Sequence, residues 1–166
     1  MVVHAREKGT TVARATDNEA LVAIARRFIE ECFNKGDMAV ADELLAATAI
    51  QHDPSITDEP RGHEGIKREI VRLRMTFPDL RVTVCDVAAE GDRVVAYLWI
   101  SGTNTGSYRG MPATGAYAVW RAINTFRIVD GHIVEQWGVT HCSSTLKKLG
   151  LIPVETSPIG GHVGAC

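Results

Sequence analysis

The sequence predicts an α+β fold in which N-terminal helices pack on a strongly curved antiparallel or mixed sheet. Two observations support it: apolar residues recur at helical spacing in the first half, and from Leu80 they alternate as in strands. Helices followed by a run of strands are typical of helices gathered on one face of a sheet. We expect a flexible segment over 1–15, a single domain over 16–152 and a flexible tail over 153–166.

Three helices are expected in the first half of the chain. Thr16 and Glu19 form a capping box that predicts the start of the first helix, and Gly36 stands where a glycine would end it. The elements that follow are expected to be a helix over about 39–46, a brief strand over 49–54, a loop over 53–63 and a helix over about 64–76.

The second half predicts a meander of strands. The expected order is a strand from Leu80, a turn at Glu90-Gly91-Asp92, a strand over 93–105, a loop over 106–115, and strands over 116–129 and 132–140. A curved sheet closed by helices makes a cone-shaped barrel, and the mouth of such a cone is a natural ligand site.

Composition excludes several classes of function. Hydrophobic residues make up 45% and charged residues 23% of the chain, and the net charge of -2 predicts no nucleic-acid partner. No apolar run approaches the roughly 18 residues of a membrane span, and no signal peptide is recognised, so we expect a cytoplasmic protein. The cysteines form no CxxC pair and the histidines lack paired acids, so neither a metal nor a disulfide framework is expected.

The segment 126–141 predicts a hairpin that lines a pocket. Ionisable and aromatic residues alternate there with valine and isoleucine, and Asp130-Gly131 predicts a tight turn. A two-residue turn would pair Val129 with His132 and place Phe126 on the face of Glu135. A three-residue turn would instead pair Ile128 with His132.

The two turns give opposite faces to the same side chains, because a one-residue slip reverses a strand. We favour the three-residue turn because it gathers the polar groups on one face, which would then carry Arg121, Thr125, Arg127, Glu135, Trp137 and His141.

Three residues are candidates for chemistry. His141 could be a general base, since its ordinary pKa lies near neutrality, or a half-buried histidine bonded to the backbone. Arg127 could stabilise a developing oxyanion or form an ion pair with Glu135. His52 could orient a ligand or be an ordinary loop histidine. The large rings on the strands are candidates for core or for pocket walls: Tyr97, Trp99, Trp120 and Trp137.

Taken together, these motifs resemble the SnoaL-like polyketide cyclases, a branch of the nuclear-transport-factor-2-like α+β cone fold. The segments that carry the resemblance lie between about 18 and 153: His52-Asp53-Pro54, Gly62-His63-Glu64-Gly65, Phe77-Pro78-Asp79-Leu80, Glu90-Gly91-Asp92-Arg93-Val94, Gly102-Thr103-Asn104-Thr105-Gly106, Pro112-Ala113-Thr114-Gly115 and Phe126-Arg127 through Trp137.

The resemblance implies a cofactor-independent intramolecular aldol closure of an aromatic polyketide ester. The family's base aspartate falls at His141, an acid common after the tryptophan is Gly138, and a loop histidine is Asn104. Thr125 and Arg127 stand where cyclases place polar groups that face the substrate. Dimerisation through the exposed sheet face is also implied.

We therefore expect a cyclase-like lyase or isomerase that acts on a hydrophobic, carbonyl-bearing molecule without a cofactor. The predicted catalytic residues are His141 and Arg127, and the predicted substrate-binding residues are His52, Thr125, Trp99, Trp137, Tyr97 and Asn104. The alternative is a non-catalytic module of the same fold that binds a small molecule or mediates a homodimer. Epoxide hydrolysis would need two acids that bracket an arginine, and no such arrangement is evident around Arg127.

Overall fold

The computed structural model of the chain describes residues 6–52, 62–108, 110 and 112–141; of 6–16 and 141 only the backbone is described. Its elements in chain order are α1 (Arg6–Phe28), a π-helical segment (Ile29–Lys35), α2 (Met38–Leu44), β1 (Leu45–His52), α3 (His63–Thr76), β2 (Arg81–Glu90), β3 (Arg93–Thr103), β4 (Tyr117–Val129) and β5 (His132–His141). These elements follow the predicted order, but α1 begins earlier than predicted, β1 begins at Leu45 and not at 49, and the π-helical segment was not predicted.

The first helix is longer than predicted. It begins at Arg6, so Thr16 lies inside it and does not act as the expected N-cap. The predicted end is confirmed: Gly36 has a φ of 78° and donates its N–H to the carbonyl of Cys32. The positive φ favours glycine at this position, and a Cβ there would lie 2.7 Å from Arg74 Nε, so the arginine side chain would have to shift.

A side-chain cap starts α2, and the backbone leaves α2 and α3 close to the predicted positions. The Asp37 carboxylate accepts hydrogen bonds from the backbone N–H groups of Ala39 and Val40, which caps α2. That helix ends at Leu44, two residues before the predicted end, because β1 begins at Leu45. At Phe77 the chain leaves α3, as predicted from the following proline.

One five-stranded mixed sheet carries the fold, in the order β1-β5-β4-β3-β2. β1 and β5 are parallel, and the other neighbouring pairs are antiparallel. The two-residue turn Gly91-Asp92 joins β2 to β3 as predicted. Because β1 and β2 are edge strands, the sheet is not closed on itself.

The helices cover one face of this sheet, and the core lies between them. The ring of Phe28 in α1 meets the ring of Phe126 in β4 edge to face at 5.9 Å. Even-numbered residues of β3 and β4 supply most of the strand contribution to the core: Val94, Ala96, Leu98, Ile100, Ala118, Trp120, Ala122, Phe126 and Ile128. We call the strand positions on this side the core-facing rows and the opposite side the outer face.

The β4–β5 hairpin combines a two-residue turn with a bulge. Val129 pairs with His132 and Ile128 with Ile133, so the favoured three-residue turn is wrong. The register then shifts, and Arg127 pairs with Glu135, which leaves Val134 as the extra residue. The grouping that the three-residue turn was chosen to explain is nevertheless confirmed: Arg121, Thr125 and Arg127 are paired with His141, Trp137 and Glu135.

The part of the chain that the structure describes has no helix both long and apolar enough to span a membrane.

Candidate functional site

A hydrogen-bonded cluster of charged residues lies on the β4–β5 hairpin, where the sequence predicted that polar side chains would gather on one face. Arg127 donates to Oε1 of Glu135 from Nε and Nη2, each at 2.6 Å. His52 Nε2 lies 2.8 Å from Oε2 of the same carboxylate. Arg127 also approaches Asp92, with Nη1 and Oδ2 3.6 Å apart. The ion pair between Arg127 and Glu135, which was the alternative to a catalytic arginine, is confirmed.

Trp137 completes this cluster. The His52 ring stacks on it with 4.7 Å between ring centroids and 11° between ring planes. The guanidinium carbon of Arg93 lies 5.1 Å from the Trp137 ring, in the range of a cation–π contact. The bonds from His52 and then from Arg127 hold the pKa of the Glu135 carboxyl below its usual range. Glu135 is therefore a fixed negative charge that organises its neighbours.

The cluster lies on the outer face, away from the helices. Glu135 and Trp137 pair with Arg127 and Thr125, whose neighbours Ile128 and Phe126 point into the core. The expectation that this set lines the mouth of the cone is therefore corrected, because the helices cover the opposite side of the sheet. The binding roles predicted for His52, Thr125 and Trp137 stay predictions.

The other predicted residues fall in two places. Tyr97 and Trp99 belong to the outer face, and the Trp99 ring lies 5.1 Å from the guanidinium carbon of Arg121. The backbone of His141 pairs with Arg121 at the end of β5. Asn104, by contrast, is fully buried in the 104–116 loop. Its Oδ1 accepts from the N–H and hydroxyl of Thr114 and its Nδ2 donates to Gly106, so its polar atoms organise the loop.

Sequence reasoning missed a second polar group, which lies on the core-facing rows. Gln51 and Gln136 are paired across β1 and β5, and both are buried. Asn124 lies on the same side in β4 and is partly buried. We call these three residues the amide row. Within the described segments these side chains make no hydrogen bond with one another or with another residue.

Gln136 is the member of the amide row whose buried acceptor lacks a hydrogen-bond partner. It is 4% exposed, and its Oε1 has no hydrogen-bond partner in the described part of the structure. A buried polar atom without a partner costs about 1–3 kcal/mol. Such a cost in an otherwise apolar row is a reason to suspect that a ligand supplies the partner.

The core opens toward solvent beside the amide row. Asn124 and Gly138 are partly exposed and Thr140 is exposed, whereas the same rows are closed at Phe126 and Ile128. A Cβ on Gly138 would lie 3.3 Å from Asn124 Oδ1, so the amide covers the space that a side chain at 138 would need. We call this opening the amide cleft. Trp120, 8% exposed and in contact with Phe77, is an aromatic residue of the same β4 row.

A half-open groove of about 780 Å³ lies elsewhere, between the α1 segment around Asn18 and the turn at Gly91. Asn18 Nδ2 donates to the carbonyl of Ala89 and ties the two walls together. Arg93 contributes to this groove but turns toward Trp137, and none of the predicted site residues lines it. Its lining gives no reason to place chemistry there.

Asp42, His63 and Glu64 have ligand atoms close enough together to hold a metal ion. Lys67 already contacts two of them, with Nζ 2.6 Å from Asp42 Oδ1 and 3.5 Å from Glu64 Oε1. The ammonium group supplies the positive charge that these carboxylates need. The expectation that no metal is bound stays a prediction.

The fold and the amide cleft together define a class of protein: an α+β protein with helices on one face of a mixed sheet and a small polar opening into its core. The sequence model of the SnoaL-like polyketide cyclase family matches residues 23–149. The chain belongs to that family. No protein among those with curated functions matches the sequence.

Solved structures agree with this family. IdmH from Streptomyces antibioticus, whose proposed activity is that of a polyketide cyclase, is 30% identical over 80% of this chain and 97% of that one, with a TM-score of 0.66. TsrD from Streptomyces laurentii is 28% identical over 81% and 97%, with a TM-score of 0.71. A proposed SnoaL-like polyketide cyclase from Jannaschia sp. CCS1, 23% identical over 82% and 95% with a TM-score of 0.74, supports the fold alone.

Proposed function

We propose that this protein is a cofactor-independent, cyclase-like enzyme that binds a hydrophobic, carbonyl-bearing small molecule in the amide cleft. The observation that carries the proposal is the buried Gln136, whose acceptor has no partner beside an opening in the core. Family membership supplies the reaction class, since SnoaL-like proteins are polyketide cyclases by description. A cytoplasmic location remains part of the proposal.

The proposed reaction is an intramolecular aldol closure. A base removes a proton from the carbon beside one carbonyl, the enolate carbon bonds to a second carbonyl carbon, and the resulting alkoxide takes up a proton. The product is then an isomer of the substrate. The N–H groups of the amide row could donate to the enolate oxygen, a role for which neutral amides suffice in a site shielded from water.

Arg127 is not needed in this scheme, because its guanidinium is bonded to Glu135 on the outer face. The core-facing rows of the described strands contain no group that titrates near neutrality, so the base must come from elsewhere. His141 is the last residue of β5, where its backbone pairs with Arg121, and we retain it as the proposed base; this role requires its side chain to reach the amide cleft from the strand end.

The test is turnover of a linear aromatic polyketide methyl ester, followed by chromatography of products of unchanged mass. The wild type should accelerate ring closure, and His141→Ala should lower turnover about 100-fold or more while the Kd changes by only a few-fold. His132→Ala is the matched control, since that exposed histidine bonds to the Asp130 carbonyl at the far end of β5.

Unchanged turnover in His141→Ala would remove the base role. Failure of the wild type to accelerate closure, with the ester still bound, would overturn the cyclase proposal in favour of a non-catalytic binding module.

A second proposal is that the protein forms a homodimer through its outer face. Large apolar residues on four neighbouring strands are exposed there, among them Ile50, Val95, Trp99, Ile123 and Val139. Contiguous exposed apolar surface of this kind is typical of protein interfaces. The charged cluster around Glu135 would lie at one end of the interface.

A further inference from the structure

We infer that Gln136 is a specificity-determining residue that selects a neutral ligand carrying a hydroxyl donor. The inference rests on the proposed function only for the location of the ligand, the amide cleft. It adds the polarity and charge of the group that binds, and it does not require turnover.

The bulge in β5 brings Gln136 to the cleft. Ile133 and Gln136 both point to the core although they are three positions apart, because Val134 is the extra residue of the bulge. Without the bulge, strand alternation would present Glu135 to the core and turn Gln136 outward. The bulge therefore places the amide of Gln136 in the core-facing row, where the carboxylate of Glu135 would otherwise lie.

The described neighbours of Gln136 donate no hydrogen bond to its Oε1. Phe126 and Ile133 beside it are fully buried hydrocarbon, and Gln51 across the parallel ladder does not bond to it in the described structure. Paired strands lie about 4.8 Å apart, so the two glutamine side chains are within reach of one small polar group placed between them. The unpartnered Gln136 Oε1 can accept from a hydroxyl, whereas a carboxylate anion has no proton to donate to it.

The core-facing rows also disfavour the binding of an anionic ligand. No ionised side chain lies on the core-facing rows of the strands within the described residues. A ligand that is already anionic in water would lose its hydration on entering these rows, and the described strand residues there supply no counter-ion. Between Trp120 and Asn124 the row carries the small side chain of Ala122, and the proposed ligand would lie there against the aromatic ring.

The experiment uses three matched probes on the full chain: 2-naphthol, 2-methoxynaphthalene and 2-naphthoate. Their Kd values are measured by isothermal titration calorimetry at pH 6.5. Naphthol donates a hydrogen bond, the methoxy analogue keeps the ring system without the donor, and naphthoate is an anion. We expect naphthol to bind about five- to tenfold more tightly than the methoxy analogue and naphthoate to bind most weakly.

Gln136→Leu should bring the ratio of the naphthol and methoxynaphthalene Kd values close to one while binding of the ring system persists. Leucine leaves no buried polar atom without a partner, so the variant should fold, and the circular dichroism spectrum checks this. Gln51→Leu should reduce the ratio in the same direction. Thr83→Val, an exposed polar-to-apolar change on β2, is the control that should leave it unchanged.

Equal affinities for naphthol and its methoxy analogue in the wild type would overturn the inference. A folded Gln136→Leu protein that retains the wild-type ratio would also overturn it, as would failure to bind any of the three probes. Because naphthols cannot undergo aldol closure, a wild type that prefers naphthol but does not turn over the polyketide ester would refute the catalytic proposal and leave this one standing.

Discussion

Glu135 shows how one side chain fixes several others. Its two carboxylate oxygens are divided between Arg127 and His52, and His52 is thereby positioned to stack on Trp137. The residue is partly exposed, so its contribution is moderated by solvent. The cluster therefore serves to orient side chains on the outer face.

The depressed pKa of Glu135 predicts a pH dependence of stability. The folded-state pKa lies below the ordinary carboxyl value of about 4.3, so the stabilisation is present above that value and is lost as the pH falls through the folded-state pKa. Glu135→Gln should therefore be less stable than the wild type at pH 7, and the gap should narrow at pH 3.

Urea unfolding at the two pH values measures this gap. Glu19→Gln, a change at an exposed position in α1, is the control and should follow the wild type at both. A gap between wild type and Glu135→Gln that stays constant from pH 7 to pH 3 would contradict the assignment.

The β4–β5 hairpin decides, as an element, which side chains meet the core. Both turn residues have positive φ, 50° at Asp130 and 78° at Gly131, as the two-residue turn of a tight hairpin requires. The bulge at Val134 then places Arg127 opposite Glu135. Turn and bulge act together, because either one alone would reverse the face of the rest of β5.

Substitution of Gly131 tests whether the turn requires a left-handed backbone conformation at this residue. A Cβ at this position would meet nothing within 4 Å, so a change in stability reports backbone strain and not a clash. Gly131→Ala should lower the free energy of unfolding by about 1 kcal/mol, since left-handed backbone is costly for alanine. Gly131→Asn should cost less because asparagine tolerates this conformation. Urea unfolding that ranks asparagine below alanine would contradict the turn geometry.

For the whole molecule, the two faces of the sheet have different properties. The core-facing rows are closed by helices at one end and open at the amide cleft, whereas the outer face exposes apolar residues over four strands. A monomer would leave this outer surface in water. Association of two outer faces would remove it from water and leave the amide cleft of each copy accessible.

The homodimer proposal predicts a solution mass of twice the 18.0 kDa of one chain at micromolar concentration. Ile123→Arg combined with Val139→Lys should shift the mass toward the monomer, because burying two uncompensated charges in an interface is costly. Met75→Lys, at an equally exposed apolar position on α3, is the matched control. Sedimentation equilibrium distinguishes these results, and a monomeric wild type would contradict the proposal.

The sequence predicted much of this architecture because the signals it used are local. The period of the apolar residues gave the order of helices and strands, and Gly36, Phe77 and the Gly91-Asp92 turn were located by their own backbone chemistry. The start of α1 was missed because a capping box at Thr16 describes a local preference, and the helix extends through it.

The candidate site was only half predictable. The sequence by itself determined that Glu135 and Trp137 share one face of their strand, since side chains alternate along it, and it predicted Arg127 on the same side only through a choice between two registers. Which side of the sheet the helices cover, and that a bulge at Val134 turns Gln136 inward beside Gln51, were decided only by the tertiary structure. Bulges and layer packing depend on contacts between distant segments, which no local pattern encodes.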